Sequence, residues 1–149
     1  MGHFKDKTKK PEKISGKPQI TQVTKICFSF EYVTTNKNYN FDIFTKDKSK
    51  KCTAYDALFE RMSELSQINT IEALQRGKKS GLEKIPVNQL SKSMQDICKG
   101  IDIISNDSKL IVFRFYNHNY RLICKDDIIH PNLMYVIAFD FDYSAYNHG

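Results

Sequence analysis

Apolar positions in the C-terminal third fall into three short runs separated by polar turns. Residues 109–116 carry Leu110, Ile111, Val112, Phe113, Phe115 and Tyr116, and Asn117, His118 and Asn119 interrupt them. Residues 120–125 form the second run, Asp126 and Asp127 open the next connection, and 133–142 form the third. β-Branched and aromatic residues suit a pleated, half-buried surface, and short polar loops join strands as antiparallel neighbours. The pattern predicts a three-stranded antiparallel meander, whose apolar face needs a second layer to exclude water.

Upstream, residues 24–33 alternate at period two. Ile26, Phe28, Phe30 and Tyr32 oppose Ser29 and Glu31, which predicts a further strand with one buried side. Residues 34–38 are turn-like, and 39–44 read as the hairpin partner of that strand. Lys46, Lys48, Lys50 and Lys51 read as a solvated basic loop. Thr53 is placed as a helix N-cap, with Asp56 at the third helical position. Tyr55, Leu58, Phe59, Met62 and Leu65 recur at helical spacing, predicting a helix over 54–67 that turns this stripe to the sheet. Thr70 caps a second helix with Ile71 and Leu74 inward, running to about Lys79 before Gly81. Leu82, Ile85, Val87 and Leu90 read as a loop anchored in the core, since Pro86 bars a regular helix there. Leu90, Met94 and Ile97 predict a short helix within 89–98. The expected fold class is α+β: an antiparallel sheet, built from an N-terminal strand or hairpin plus the C-terminal meander, covered by two helices.

Alternation also places charge on apolar faces. Arg114 shares a face with Leu110 and Val112, while Asp140 and Asp142 share one with Met134, Val136 and Ala138. Two explanations stand. The faces open to solvent near the strand ends, or an ion-paired cleft holds Arg114 or Arg121 beside the acids.

Length and charge refine this picture. A chain of 149 residues predicts a single domain, here 21–149, preceded by a flexible basic tail over 1–20. The tail holds six lysines against Asp6 and Glu12, so it carries +4 of the net +6 and leaves +2 for the rest. Most of the basicity therefore lies outside the folded surface. The absence of a long apolar run and of a secretory leader predicts a cytoplasmic protein without membrane association. Cys27, Cys52, Cys98 and Cys124 are widely spaced, which predicts reduced thiols and no metal site. The chain shows no glycine-rich phosphate loop, and no cofactor is expected. Tyr116, Tyr120, Tyr143 and Tyr146, read as exposed, would stack on bases together with Arg114 and Arg121, or serve a protein interface equally well.

The order of a strand, two helices and a meander, with Tyr120-Arg121-Leu122-Ile123 in the middle strand, resembles the RelE/ParE-type superfamily of small bacterial toxins. The hydrophobic stretch from Val136 leading to Tyr146 adds to the likeness, which covers roughly residues 53–148. The stretch 81–86 and the ending 145–148 look like uncharacterised proteins of bacteria and their mobile elements. The toxin resemblance implies a ribonuclease acting on messenger RNA at the ribosome without metal, with an antitoxin as protein partner. It implies that Arg121 contacts the substrate phosphate and that Tyr146 activates the 2′-hydroxyl or stacks on a base. Lys78, Lys79 and Lys84 would stabilise charge, and His148 would do acid–base work. Such cleavage needs a proton acceptor, a proton donor and cations around the phosphorane. The chain departs from the family at Asp140-Phe141-Asp142-Tyr143, where basic residues are usual. Each carboxylate would repel a phosphate by roughly 3 kcal/mol at about 6 Å and an effective dielectric near 20. The alternative reading is a non-catalytic protein-binding accessory module of a mobile element or defence system.

Overall fold

A computed structural model describes residues 23–147, so the expected basic tail over 1–20 and His148 lie outside it. The meander is present: β3 (Lys109–Phe115), β4 (Tyr120–Asp126) and β5 (Leu133–Asp140) pair antiparallel. Two further strands complete a five-stranded mixed sheet. β2 (Leu82–Pro86), expected as a loop, pairs antiparallel with β3. Pro86 is tolerated because it ends an edge strand, opposite Lys109. β1 (Cys27–Ser29) is shorter than expected and lies parallel to β5, giving the order β1-β5-β4-β3-β2.

The expected N-terminal hairpin does not form. Lys37–Tyr39 and Phe41–Phe44 are 3-10 turns instead. Asn36 and Asn40 cap them by accepting the amide N–H of Asn38 (3.0 Å) and of Asp42 (2.9 Å). Asparagine side chains compete here with a strand ladder for backbone groups. The amide of Thr34 donates to the Ile137 carbonyl at 2.8 Å and ties this segment to β5.

Helix α1 (Lys48–Leu65) starts a turn and a half earlier than Thr53 predicts. Asp47 is its N-cap, accepting the Lys50 amide at 2.9 Å, so most of the lysine cluster is the first helical turn and not a loop. Ala54, Leu58 and Leu65 are buried, whereas Tyr55 (48% exposed) and Phe59 (74%) stand outside the core. Ala54 and Leu58 take the contact side with Ala57 packed partly buried beside them, and the aromatic flank faces away. Helix α2 (Thr70–Gln75) is capped by Asn69, not Thr70, and buries Ala73 while Ile71 and Leu74 are exposed. Gly77, at φ 76°, separates α2 from α3 (Gly77–Ser80), so the expected helix to Lys79 is broken. Gly81 is required by proximity: a Cβ there would lie 1.7 Å from the Ala73 carbonyl oxygen.

The expected single cover is in fact a cover on each face. α1 lies over Phe113, Leu122, Met134 and Phe139, with Phe41 and Phe44 beside it. α4 (Lys92–Lys99), capped by Ser91, packs Met94 and Cys98 over Val112, Ile123 and Ile137 on the opposite face. The C-terminal residues Ala145 and Tyr146 join that second cluster. Among the described residues no helix is long and apolar enough to cross a membrane.

A register shift between Ile123 and Cys124 breaks the alternation of β5. Ile123 pairs with Ala138 and Cys124 with Val136, so Ile137 is the extra residue. Ile137 and Ala138 both reach the α4 side, while Val136 and Phe139 belong to the α1 side. Unbroken alternation would send Asp140 to the α1 face. The bulge sends it instead to the face of Arg121, its direct partner in the register.

Candidate functional site

The residues that the sequence marks as chemical meet where the turn between β3 and β4 lies against the C-terminal segment. Arg114, Arg121 and Asp140 are aligned across three neighbouring strands. Glu83 of β2 extends the row, with its carboxylate 3.6 Å from an Arg114 Nη. The row thus holds an ion pair, Glu83 with Arg114, and buries Arg121 and Asp140, so it is not a solvent-open strand end.

The C-terminal segment closes this row. Tyr146 donates its hydroxyl to Glu83 at 2.6 Å, and its residue bridges to Leu90. The Tyr143 ring lies 4.5 Å from the Arg121 guanidinium carbon, and its hydroxyl donates to Asn119 Oδ1 at 2.9 Å. Asp140 accepts the amides of Asp142 (3.3 Å), Ser144 (3.1 Å) and Ala145 (3.2 Å), pinning the segment to the end of β5. Arg121 donates from Nη1 to the His118 carbonyl at 2.9 Å and is 2% exposed. The Nε atoms of Arg114 and Arg121 are buried without a hydrogen-bond acceptor. Backbone strain concentrates here: Tyr116 (φ 51°), Asn117 (51°), His118 (67°) and Tyr143 (63°) are left-handed without being glycine.

The electrostatics follow from burial. The Tyr146 phenol is pushed far above its usual value, first by burial and then by the Glu83 carboxylate, against the opposing pull of Arg121. A phenol that already donates to a carboxylate is not a proton acceptor near neutral pH. Burial raises the Asp140 carboxyl, partly offset by the amide of Ala145. Asp142 is also desolvated, but the Ser144 hydroxyl and Asp140 hold it below the usual carboxylate value.

Arg114, Arg121, Tyr143 and Tyr146 thus come together. Lys79 lies elsewhere, in a polar cleft of about 560 Å³ on the α1 side lined also by Asp56, Glu60, Arg61 and His118; of the clustered four, only Arg114 borders it. Arg61 ties that cleft together by donating to the carbonyls of Arg114 (2.9 Å) and Ser80 (2.9 Å). Lys78 and Lys84 are exposed on α3 and β2. Tyr120 and Tyr146, read from the sequence as exposed, are 7% exposed each, because Tyr120 packs on Phe115 and Phe141 while Tyr146 enters the α4 cluster. Glu83, Asn119 and Ser144 were not legible as partners. Only Glu83 carried a signal, as a lone acid between Leu82 and Ile85.

A second concavity, of about 320 Å³, lies beside α1 near β1. Phe30, Val33, Phe41, Tyr55, Leu58 and Phe139 form its apolar walls, with Asn40 and Asp42 at its edge. Phe41 and Tyr55 stack at 3.9 Å and 4°. Among the described residues no group of three or more His, Cys, Asp or Glu side chains is arranged to hold a metal ion. The fold and site define an α+β protein with a mixed five-stranded sheet and a closed arginine–tyrosine cluster. No protein-family model, curated protein or solved structure matches the chain.

Proposed function

We propose that this protein is a non-catalytic protein-binding module. The observation that carries this reading is the open aromatic slot beside α1, where Phe30 (53% exposed) and Tyr55 offer apolar surface to solvent. Large exposed apolar groups beside a concavity mark interaction sites. Most of the arginine–tyrosine cluster is engaged internally: Glu83 takes the Tyr146 hydroxyl, the His118 carbonyl takes an Arg121 donor and Tyr143 covers Arg121, while the Nε atoms of Arg114 and Arg121 stay buried without an acceptor. It serves as a rigid closure of the sheet. Four free cysteines support work in a reducing compartment such as the cytoplasm.

A second reading rests on one observation, the approach of Arg121 to the Tyr146 hydroxyl. In that reading the protein is a RelE-type ribonuclease in which Arg121 holds the phosphate and Tyr146 acts on the 2′-hydroxyl. Residues 143–147 would then have to lift to admit RNA. Expression in bacteria separates the two. Equal growth and intact messenger RNA with the wild type and with Tyr146→Phe support the binding module. Messenger RNA cleavage by the wild type that Tyr146→Phe abolishes overturns it.

A further inference from the structure

We infer that the polar cleft between α1, α3 and the β3–β4 turn binds a neutral sugar, seated on the Tyr116 ring. The cleft shares no lining residue with the aromatic slot, so this inference stands apart from the protein-binding reading.

The turn supplies a platform. Tyr116 lines the cleft and is 39% exposed. Its ring stacks on Tyr120, with centroids 4.7 Å apart and planes 19° from parallel. Tyr120 is itself buried against Phe44, Phe115 and Phe141, so the core backs the platform. One face of the Tyr116 ring is therefore covered and the other is left for a ligand. The backbone here is strained: Tyr116, Asn117 and His118 are three successive left-handed residues, none of them glycine, and all three line the cleft. A bulky side chain keeps that conformation only where its surroundings fix it, and such strain gathers at ligand sites. The electron-rich face of a tyrosine attracts the C–H face of a sugar ring, whose hydrogens carry partial positive charge.

The walls supply polar partners. Arg61 is engaged by the carbonyls of Arg114, Ser80 and Gly81 and by Glu64, and Arg114 pairs with Glu83. The side chains of Asp56, Glu60, Lys79, Asn117 and His118 also line the cleft, and they make no hydrogen bond or ion pair among the described residues. Asp56 and Glu60 lie one turn apart on α1, a like-charged spacing that slightly destabilises a helix. Carboxylates accept, an ammonium donates and a carboxamide does both. Neighbouring sugar hydroxyls, which donate and accept, find either kind of partner in such a wall.

Charge selects a neutral ligand. Three acids line the cleft, Asp56, Glu60 and Glu64, against three cations, Arg61, Lys79 and Arg114. With Glu64 and both arginines paired, two carboxylates remain against one ammonium. An anion would meet those carboxylates, and a cation would meet Lys79. The volume of about 560 Å³ falls inside the range of about 300–1,000 Å³ usual for small-molecule sites.

The test is calorimetric titration of the full chain with maltose, cellobiose, lactose and chitobiose, beside inorganic phosphate, putrescine and glycylglycine. At least one disaccharide should bind with a Kd on the order of 1 mM or tighter. Tyr116→Ala should weaken that binding by about tenfold, whereas Tyr116→Phe, which keeps the ring, should retain it. Asp56→Ala should also weaken it by about tenfold, the scale of one hydrogen bond to a charged group. Asp56 lies on an exposed helix flank, so its variant should match the wild type in thermal unfolding. The inference is overturned if no disaccharide binds, or if phosphate, putrescine or glycylglycine binds more tightly than every sugar. Sugar binding indifferent to Tyr116→Ala also overturns it. If Tyr116→Ala lowers the Tm, Asp56→Ala decides: weakened binding supports the site and unchanged binding overturns it.

Discussion

Replacing Arg121 with Met tests whether the charged row is a closure or a working site. Arg121 is almost wholly buried, pairs across the sheet with Asp140, donates to the His118 carbonyl and lies beneath Tyr143. Arg121→Met keeps most of the apolar stem and removes the charge. It leaves the His118 carbonyl without its charged donor and the Tyr143 ring without its cation. Losing a hydrogen bond from a charged group costs about 1.5–3 kcal/mol. For a chain of this size that corresponds to a fall in Tm of roughly 3–12 °C, at about 2–4 °C per kcal/mol. Urea denaturation followed by circular dichroism reads the cost, which should appear as a lower midpoint at unchanged slope. A functional arginine held in reserve for a substrate behaves differently, because its removal is neutral or stabilising. The closure is refuted if Arg121→Met lies within about 0.5 kcal/mol of the wild type, the usual range for an inconsequential change.

Tyr146→Phe should cost about 1.5–3 kcal/mol in the same assay, the worth of a hydrogen bond to a charged group, and a neutral result would separate Glu83 from the C-terminal segment. Gly81→Ala should cost several kcal/mol, because the added methyl meets the Ala73 carbonyl oxygen at 1.7 Å; a stability equal to wild type would contradict the close packing of α2 on β2. A thiol reagent should label the exposed Cys52 rapidly in the native protein, as read by mass spectrometry. Cys98, which burial pushes up to about 11, and the fully buried Cys124 should react only on unfolding. The Asp127 carboxyl is held below its ordinary value chiefly by the His130 amide, against a smaller desolvation effect. Its folded pKa is depressed, so its contribution is complete above the ordinary carboxylate value and is lost as pH falls through the folded one. Asp127→Asn should therefore flatten the decline in Tm between about pH 5 and pH 3, and an unchanged decline would count against that role.

Three strands of the sheet were legible because their signal is local. A run such as 109–115 has no alternative use for so many β-branched and aromatic residues beside a polar turn. Helix existence was legible for the same reason, through the spacing of Leu58, Met62 and Leu65. Boundaries were less so. Asp47 and Thr53 are both good caps, and Asp47 prevails because the lysines between them can continue a helix at no packing cost. Pro86 argued correctly against a helix but did not reveal an edge strand, since the missing N–H matters only when the neighbour is known. The inward assignment of Tyr55, Phe59, Ile71 and Leu74 failed because alanines at 54, 57 and 73 take the contact side.

By itself the sequence determined an α+β chain with a C-terminal meander and charged residues stranded on apolar faces. Tertiary structure alone decided where those charges go. The bulge at Ile137 turns Asp140 to the side of Arg121, and the wrap of residues 143–147 brings Tyr146 to Glu83 across more than sixty positions of chain. Hydrophobic period is a property of neighbours in sequence, whereas a one-residue slip in register and the pairing of distant charges depend on what lies across the sheet. The same dependence opened the aromatic slot, which exists because α1 settled on its alanines and left its aromatic flank to solvent.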